Sequence, residues 1–222
     1  MLTGTPSGVR RFESFILRYR KGGTEMKLYL LDFNVVMTDA WKKEFDYKDV
    51  TIISGSFRSF AKKYNPEAIV APGNSFGIMD GGLDLEIRSY FGMEAQEDLQ
   101  RKIQKDWYGE LPPGSATTVK VGGKYLVYSP TMRIPEIVVD KSVIYNCMRS
   151  SLIELKKLGV QTAMIPAFGG ATGAVMYEEI ARCMRYAYEQ IFLNQTVPLV
   201  TVLEQLSYNE EEVEAWIRQM GR

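Results

Sequence analysis

Twice in this chain a short apolar run passes straight into a glycine-rich loop and then into residues at helical spacing. That order restricts the fold more than any other feature. Ala68, Ile69, Val70 and Ala71 read as a buried strand, and Leu83, Ile87 and Tyr90 recur as one face of a helix. Between them lies GNSFGIMDGG, with Gly73, Gly77, Gly81 and Gly82 allowing tight turns and close approach. The second instance runs from a strand ending at Ile165, through Gly169, Gly170 and Gly173, into a helix with Glu178 and Glu179 in its first turns. A loop that ends at a helix N-terminus points N–H groups and a dipole at whatever occupies it. Successive N–H groups of this kind form an anion-binding concavity. The alternative for each loop is a tight turn that lets a helix pack closely on the sheet.

The rest of the chain alternates in the same way. Strands are expected at Lys27–Leu31, Val50–Ile53, Val160–Ile165 and Val197–Leu203, and helices at Val35–Phe45, Leu83–Phe91, Glu94–Trp107, Ser142–Leu158, Tyr177–Phe192 and Glu210–Met220. Gly122-Gly123 between Ala116–Val121 and Tyr125–Tyr128 predicts an antiparallel hairpin. The fold class expected is therefore α/β: a mixed, mainly parallel central sheet of six or seven strands between two helical layers. Ligands of such sheets gather at the carboxyl ends of the strands, and both glycine loops emerge there. One domain over residues 27–222 is expected, preceded by an N-terminal extension, residues 1–26, that carries Arg10, Arg11, Arg18 and Arg20.

Composition removes several chemistries. The chain has no histidine, which excludes the commonest general base, the commonest metal ligand and any Ser-His or Cys-His pair. Two cysteines, Cys147 and Cys183, make neither a disulfide framework nor a zinc site and are expected as buried thiols. No metal and no cofactor is expected. The 27 basic and 27 acidic residues cancel, which argues against a nucleic-acid or membrane-surface partner. The first 25 residues hold no apolar core long enough for a secretory signal, so a cytoplasmic location is expected. Chemistry in this chain falls to carboxylates, amides, backbone groups and water.

At the two loops the sequence resembles the macro domain family, which binds ADP-ribose and in several branches hydrolyses its derivatives. Set against that family's first loop, N-A-A-N followed by a glycine run, V-D and a helix, Asn74, Gly81, Gly82, Asp84, Ile87 and Gly92 fall on their counterparts. In the second loop, Pro166, Ala167, Phe168, Gly169, Gly173, Glu178 and Glu179 match. The resemblance implies a three-layer α/β/α macro domain fold with ADP-ribose or a derivative as partner, in one case carried on an ADP-ribosylated protein. It places Asn74 on the distal ribose and Asp84 beside the ligand, with Gly73, Ser75, Gly81 and Gly82 around them. The resemblance further implies that the backbone of Gly170, Ala171, Thr172, Gly173, Ala174 and Val175 wraps the diphosphate, with Phe168 and Gly169 also among the ligand-binding candidates.

The departures also carry information. Where the family has an aspartate that accepts from the adenine amino group, this chain reads Gly55-Ser56-Phe57, so Ser56 and Phe57 stand at the adenine end with a weaker acceptor. The family's aromatic near the distal ribose falls on Val175, and Asp80 replaces a glycine. Tyr208, after the last expected strand, is the candidate ring for stacking on adenine. In SPTMRIPE, Thr131 and Arg133 either face the ligand or close the loop, Arg133 having the fork that suits a phosphate. The function expected is binding of ADP-ribose with hydrolysis of a derivative at the distal ribose, either ADP-ribose 1''-phosphate or a mono-ADP-ribosyl ester. Asn74, Asp80 and Asp84 are the catalytic candidates. The alternative is a noncatalytic reader of ADP-ribose or a related nucleotide.

Overall fold

The structure, a computed structural model, describes residues 26–195 and Arg218. Six strands, β1 (Lys27–Asp32), β2 (Val50–Ser54), β3 (Ala68–Asn74), β4 (Thr117–Val121), β5 (Lys124–Met132) and β6 (Thr162–Pro166), form one sheet in the order β2-β1-β6-β3-β5-β4. All neighbours run parallel except β4 and β5. The helices are α1 (Val35–Glu44), α2 (Phe57–Tyr64), α3 (Gly82–Phe91), α4 (Met93–Trp107), α5 (Ser142–Leu158) and α6 (Tyr177–Phe192). The mixed, mainly parallel α/β sheet expected from sequence is present. The expected elements at Val197–Leu203 and Glu210–Met220 lie outside the described residues, apart from Arg218.

Strand alternation divides the apolar residues between two cores. Leu28 and Leu30 of β1, Val70 of β3 and Ile165 of β6 pack with Trp41 of α1, Leu152 of α5 and Ile180 of α6. Tyr29 and Leu31, Ile69 and Ala71, and Met164 face the opposite way, toward Phe60 of α2, Ile87 of α3 and Leu99 of α4. Burial on both faces explains why the strands read as near-continuous apolar runs. Cys147 and Cys183 are buried and unpaired, and burial pushes their thiols up to about 12 and about 11. No helix among the described residues is long and apolar enough to cross a membrane.

Local chemistry fixes the element ends. Gly122 and Gly123, at φ 57° and 82°, close the β4–β5 hairpin with the positive φ pair that side chains resist. Gly159, at φ 68°, ends α5. One helix, α2, lies outside the expected set. It has only eight residues, capped by Ser56 and ended by Asn65 in the left-handed region, with Phe57, Phe60, Ala61 and Tyr64 sharing one face. Such a helix is shorter than the window over which helical periodicity registers.

β3 and β5 continue past their expected ends, to Asn74 and Met132, and their register slips between Gly73 and Asn74. The Tyr128 hydroxyl spans the slip: it accepts from the Asn74 amide at 2.9 Å and donates to the Asn74 carbonyl at 3.0 Å. Only glycine leaves room for this clasp. A Cβ on residue 73 would lie 2.0 Å from Tyr128 Oη and 2.7 Å from Asp84 Oδ2. Gly73→Ala should therefore cost about 2–4 kcal/mol through overpacking and the broken clasp, read as a lowered denaturant midpoint. Tyr128→Phe, which keeps the ring and loses only the hydroxyl, should cost about 1–3 kcal/mol in the same assay. An unchanged midpoint in both variants refutes the clasp.

Candidate functional site

The parallel strands deliver the loops after β1, β2, β3, β5 and β6 to one edge of the sheet. β6 lies between β1 and β3, so the connection out of β2 and the connection out of β5 each pass over neighbouring strands. A crevice opens where strand order reverses in this way. It places the two glycine-rich loops side by side.

In the first loop the Asn74 side chain folds the chain on itself. Its Oδ1 accepts from the amides of Phe76 and Ile78 at 3.1 and 3.3 Å, and its Nδ2 donates to the Ile78 carbonyl at 2.8 Å. Both acceptor sites are used, which leaves one Nδ2 hydrogen for a ligand. Neighbouring segments brace the turn. The Ser75 amide donates to the Arg133 carbonyl at 3.1 Å, and the Leu111 amide donates to the Ser75 carbonyl at 2.8 Å. Gly81 caps α3 without a side-chain bond, Gly82 follows at φ 54°, and Asp80 stands exposed beside them.

Asp84, in the first turn of α3, faces inward toward the clasp. Its Oδ1 is inaccessible to solvent and has no hydrogen-bond partner. Burial holds its pKa well above the ordinary carboxylate range, and the negative charge of Asp80 adds to the shift. Burial and Asp84 likewise hold the Tyr128 phenol well above its ordinary value. The site thus contains a carboxyl that favours its neutral form next to a neutral tyrosine.

The second loop is built around two positive φ positions, Gly169 at 75° and Ala174 at 54°. The Val175 amide donates to the Gly169 carbonyl at 3.1 Å and the Ala174 amide to the Ala171 carbonyl at 3.1 Å. Among the described residues, no acceptor takes the amides of Gly170, Ala171, Thr172 or Gly173. Four consecutive N–H groups without protein partners form an anion cradle. Gly173 is confined: a Cβ there would lie 2.6 Å from the Gly169 carbonyl oxygen. Its own carbonyl accepts from Val138 at 2.9 Å.

The segment after β5 lies against both loops. Thr131 Oγ1 donates to the Gly73 carbonyl at 3.5 Å, and Val138 holds Gly173. A groove of about 380 Å³ lined by Thr131, Arg133, Val138 and Asn146 runs along this segment. Arg133 closes the loop, its fork gripping the Glu110 carboxylate at 2.8 and 2.7 Å. Lys141 pairs with Glu179, a buried residue in the first turn of α6. Both cations of this segment are therefore matched by carboxylates.

Three of the other sequence candidates, Phe168, Val175 and Phe57, are buried. Phe168, at the start of the second loop, and Val175 are buried in the core on the α5–α6 side. Phe57 is buried on the opposite side, its ring 5.6 Å from that of Tyr90 in an edge-on contact. Ser56 spends its hydroxyl on α2, accepting from the Ser59 amide at 3.4 Å and donating to Ser59 Oγ at 3.0 Å. Tyr208 lies outside the described residues. Sequence reasoning missed Tyr128. The signal for Tyr128 was its place in the strand beside β3, readable only once strand order is known.

The family model described as a macro-like domain matches residues 47–177. An uncharacterized protein of Aquifex aeolicus is 28% identical over 176 residues, 78% of this chain and 98% of that one. Among solved structures, the macrodomain of Mycobacterium tuberculosis DarG superposes with a TM-score of 0.54 at 19% identity, covering 63% of this chain and 90% of that one. A mutant Oceanobacillus iheyensis macrodomain with ADPR superposes with a TM-score of 0.52 at 18% identity, covering 70% and 89%. With more than half of its length matched by the family model and its sheet shared with these structures, the chain belongs to the macro-like domain family.

Proposed function

We propose that the cleft binds ADP-ribose and that the chain hydrolyses a derivative at the distal ribose, either ADP-ribose 1''-phosphate or a mono-ADP-ribosyl ester. The observation that carries this reading is the pairing of four unengaged amides, Gly170 to Gly173, with the half-buried Asp84 on the neighbouring loop, whose Oδ1 is enclosed and unpartnered. The first group suits a diphosphate and the second a reacting bond. A charge-assisted hydrogen bond to phosphate contributes about 1.5–3 kcal/mol, so two or three suffice for micromolar binding. The structural neighbour that carries ADPR supports the choice of ligand.

The two carboxyl groups divide the labour. Asp80, exposed at the mouth, orients the attacking water and takes its proton. Asp84, kept neutral by burial, gives its proton to the departing ribosyl oxygen. Environments that separate two carboxyl groups in this way assign acid and base. The remaining Nδ2 hydrogen of Asn74 donates to a ribose oxygen. Each acid or base in place contributes about 10²–10⁴-fold.

A noncatalytic reader is the second reading, and one observation favours it. Asp84 Oδ1 is closed off from solvent, so that oxygen does not reach a ligand in this arrangement.

Calorimetric titration with ADP-ribose, with AMP and ribose 5-phosphate as controls, tests binding; phosphate release and de-ADP-ribosylation assays test turnover. Micromolar ADP-ribose binding with weaker AMP binding is expected, and no binding refutes the function. Asp84→Asn should lower turnover at least 10²-fold while changing affinity only a few-fold; a wild type that binds without turnover establishes the reader. The same variant has a stability signature. Because the folded-state pKa of Asp84 is raised, the native state binds its proton more tightly than the unfolded chain. That contribution is complete below the ordinary carboxylate value of 3.8 and is lost as pH rises through the folded pKa. Asp84→Asn should therefore melt progressively higher relative to wild type as pH rises above the ordinary carboxylate range, and a pH-independent difference in Tm would contradict the assignment.

A further inference from the structure

The second glycine loop rests against a ring whose far end is tied to a different helix. The loop's own hydrogen bonds, from Val175 to Gly169 and from Ala174 to Ala171, set its shape but fasten it to nothing outside itself. Support comes from its neighbours. At one end the Val138 amide holds the Gly173 carbonyl at 2.9 Å. At the other, Gly170 lies against Tyr177, the first residue of α6: a Cβ on Gly170 would lie 3.2 Å from Tyr177 Cε1 and 3.3 Å from Ile180 Cδ1.

Tyr177 is itself held. Its hydroxyl accepts from Asn34 Nδ2 at 2.8 Å, in a half-buried bond that spans 143 residues of sequence. That bond pins a helix start that has no other side-chain tie, because Met176 stands at the cap position of α6 and makes no bond to it. The Asn34 amide is fixed in orientation by its own helix. Oδ1 caps α1 by accepting from the Val36 amide at 2.9 Å, and the Asn34 backbone amide donates to Asp32 Oδ1 at 2.8 Å. With Oδ1 engaged as an acceptor, Nδ2 is the edge left for Tyr177. One residue therefore caps α1 and fastens the start of α6, and both helices pack in the same core.

A row of amides binds an anion well when it is held still before the anion arrives, since ordering on binding subtracts from affinity. Ala171 and Thr172 are exposed, so the settings of Gly170 and Gly173 on either side decide where their amides point. We propose that Asn34 and Tyr177 are positioning residues of the amide cradle: their hydrogen bond sets the Tyr177 ring against Gly170 and so preorganises the Gly170–Gly173 amides for a diphosphate. Neither side chain needs to touch the ligand. This inference rests on the reading of the cleft as an ADP-ribose site.

Calorimetry on the full chain with ADP-ribose, and with adenosine, which lacks the diphosphate, tests it. Tyr177→Phe keeps the ring and loses the acceptor. Asn34→Ser keeps a capping oxygen for Val36 and is too short to reach Tyr177. Each should weaken ADP-ribose about fivefold and leave adenosine affinity unchanged, and the double variant should lose no more than the larger single effect, because both substitutions remove one bond. ADP-ribose affinity unchanged in both variants removes the bond from the site, and an equal fall for both ligands reduces it to a support of the fold. Either result overturns this inference and leaves the proposed function standing. Wild type that binds no ADP-ribose overturns the proposed function and the inference together.

Discussion

The hydroxyl of Tyr128 holds this site in place. A sheet edge is where ladder hydrogen bonds run out, and unpaired backbone groups there cost free energy when buried. Here β3 slips against β5 at Gly73 and Asn74, and one phenol satisfies both the amide and the carbonyl that the slip leaves behind. Because the donor is a side chain from the neighbouring strand, β3 can end abruptly and turn without fraying. The turn that follows is sealed by Asn74 and braced by Arg133 and Leu111. Asp84 is confined by the same clasp, since the space above Gly73 is shared by Tyr128 and its own Oδ2. Fold and chemistry meet at a residue whose only contribution is to lack a side chain.

The second loop reaches its geometry by a different route. Its backbone, not a side chain, does the shaping: Gly169 and Ala174 take left-handed angles, and Gly173 sits where a Cβ would strike the Gly169 carbonyl. Ala174 is the costly member, because a side chain at positive φ is strained by roughly 1–3 kcal/mol and persists only when its surroundings hold it there. The surroundings are the Ala171 carbonyl behind it and buried Val175 after it. Among the described residues, four amides are left without a protein acceptor as a result.

Much of this was legible in the sequence, for reasons that differ by element. Strands buried on both faces announce themselves as runs such as AIVA, and α5 and α6 are long enough for a 3.6-residue period to register. The glycine loops were legible because glycine clusters after strands have few other uses. The roles within them were not. Whether Asn74 serves the turn or a ligand depends on where its neighbours' amides point, which no local sequence pattern records. Arg133 was open in the same way until its partner, Glu110, came from a different connection.

The charges around the cleft follow one logic. Arg133 and Lys141, the cations between the two loops, are each bound to a carboxylate, so attraction for an anion falls to amides and helix termini. Two carboxyl groups lie on the facing loop. If both were ionised, a phosphate brought within about 4 Å of one would meet a repulsion of about 4 kcal/mol at the effective dielectric of a protein surface, enough to cancel two amide hydrogen bonds. Burial of Asp84 removes half of that problem by favouring the neutral carboxyl, and the charge of Asp80 reinforces the same outcome. Under the proposed function, the desolvation that would let Asp84 serve as an acid also lowers the repulsion a diphosphate would meet, so one environment serves both parts of that proposal.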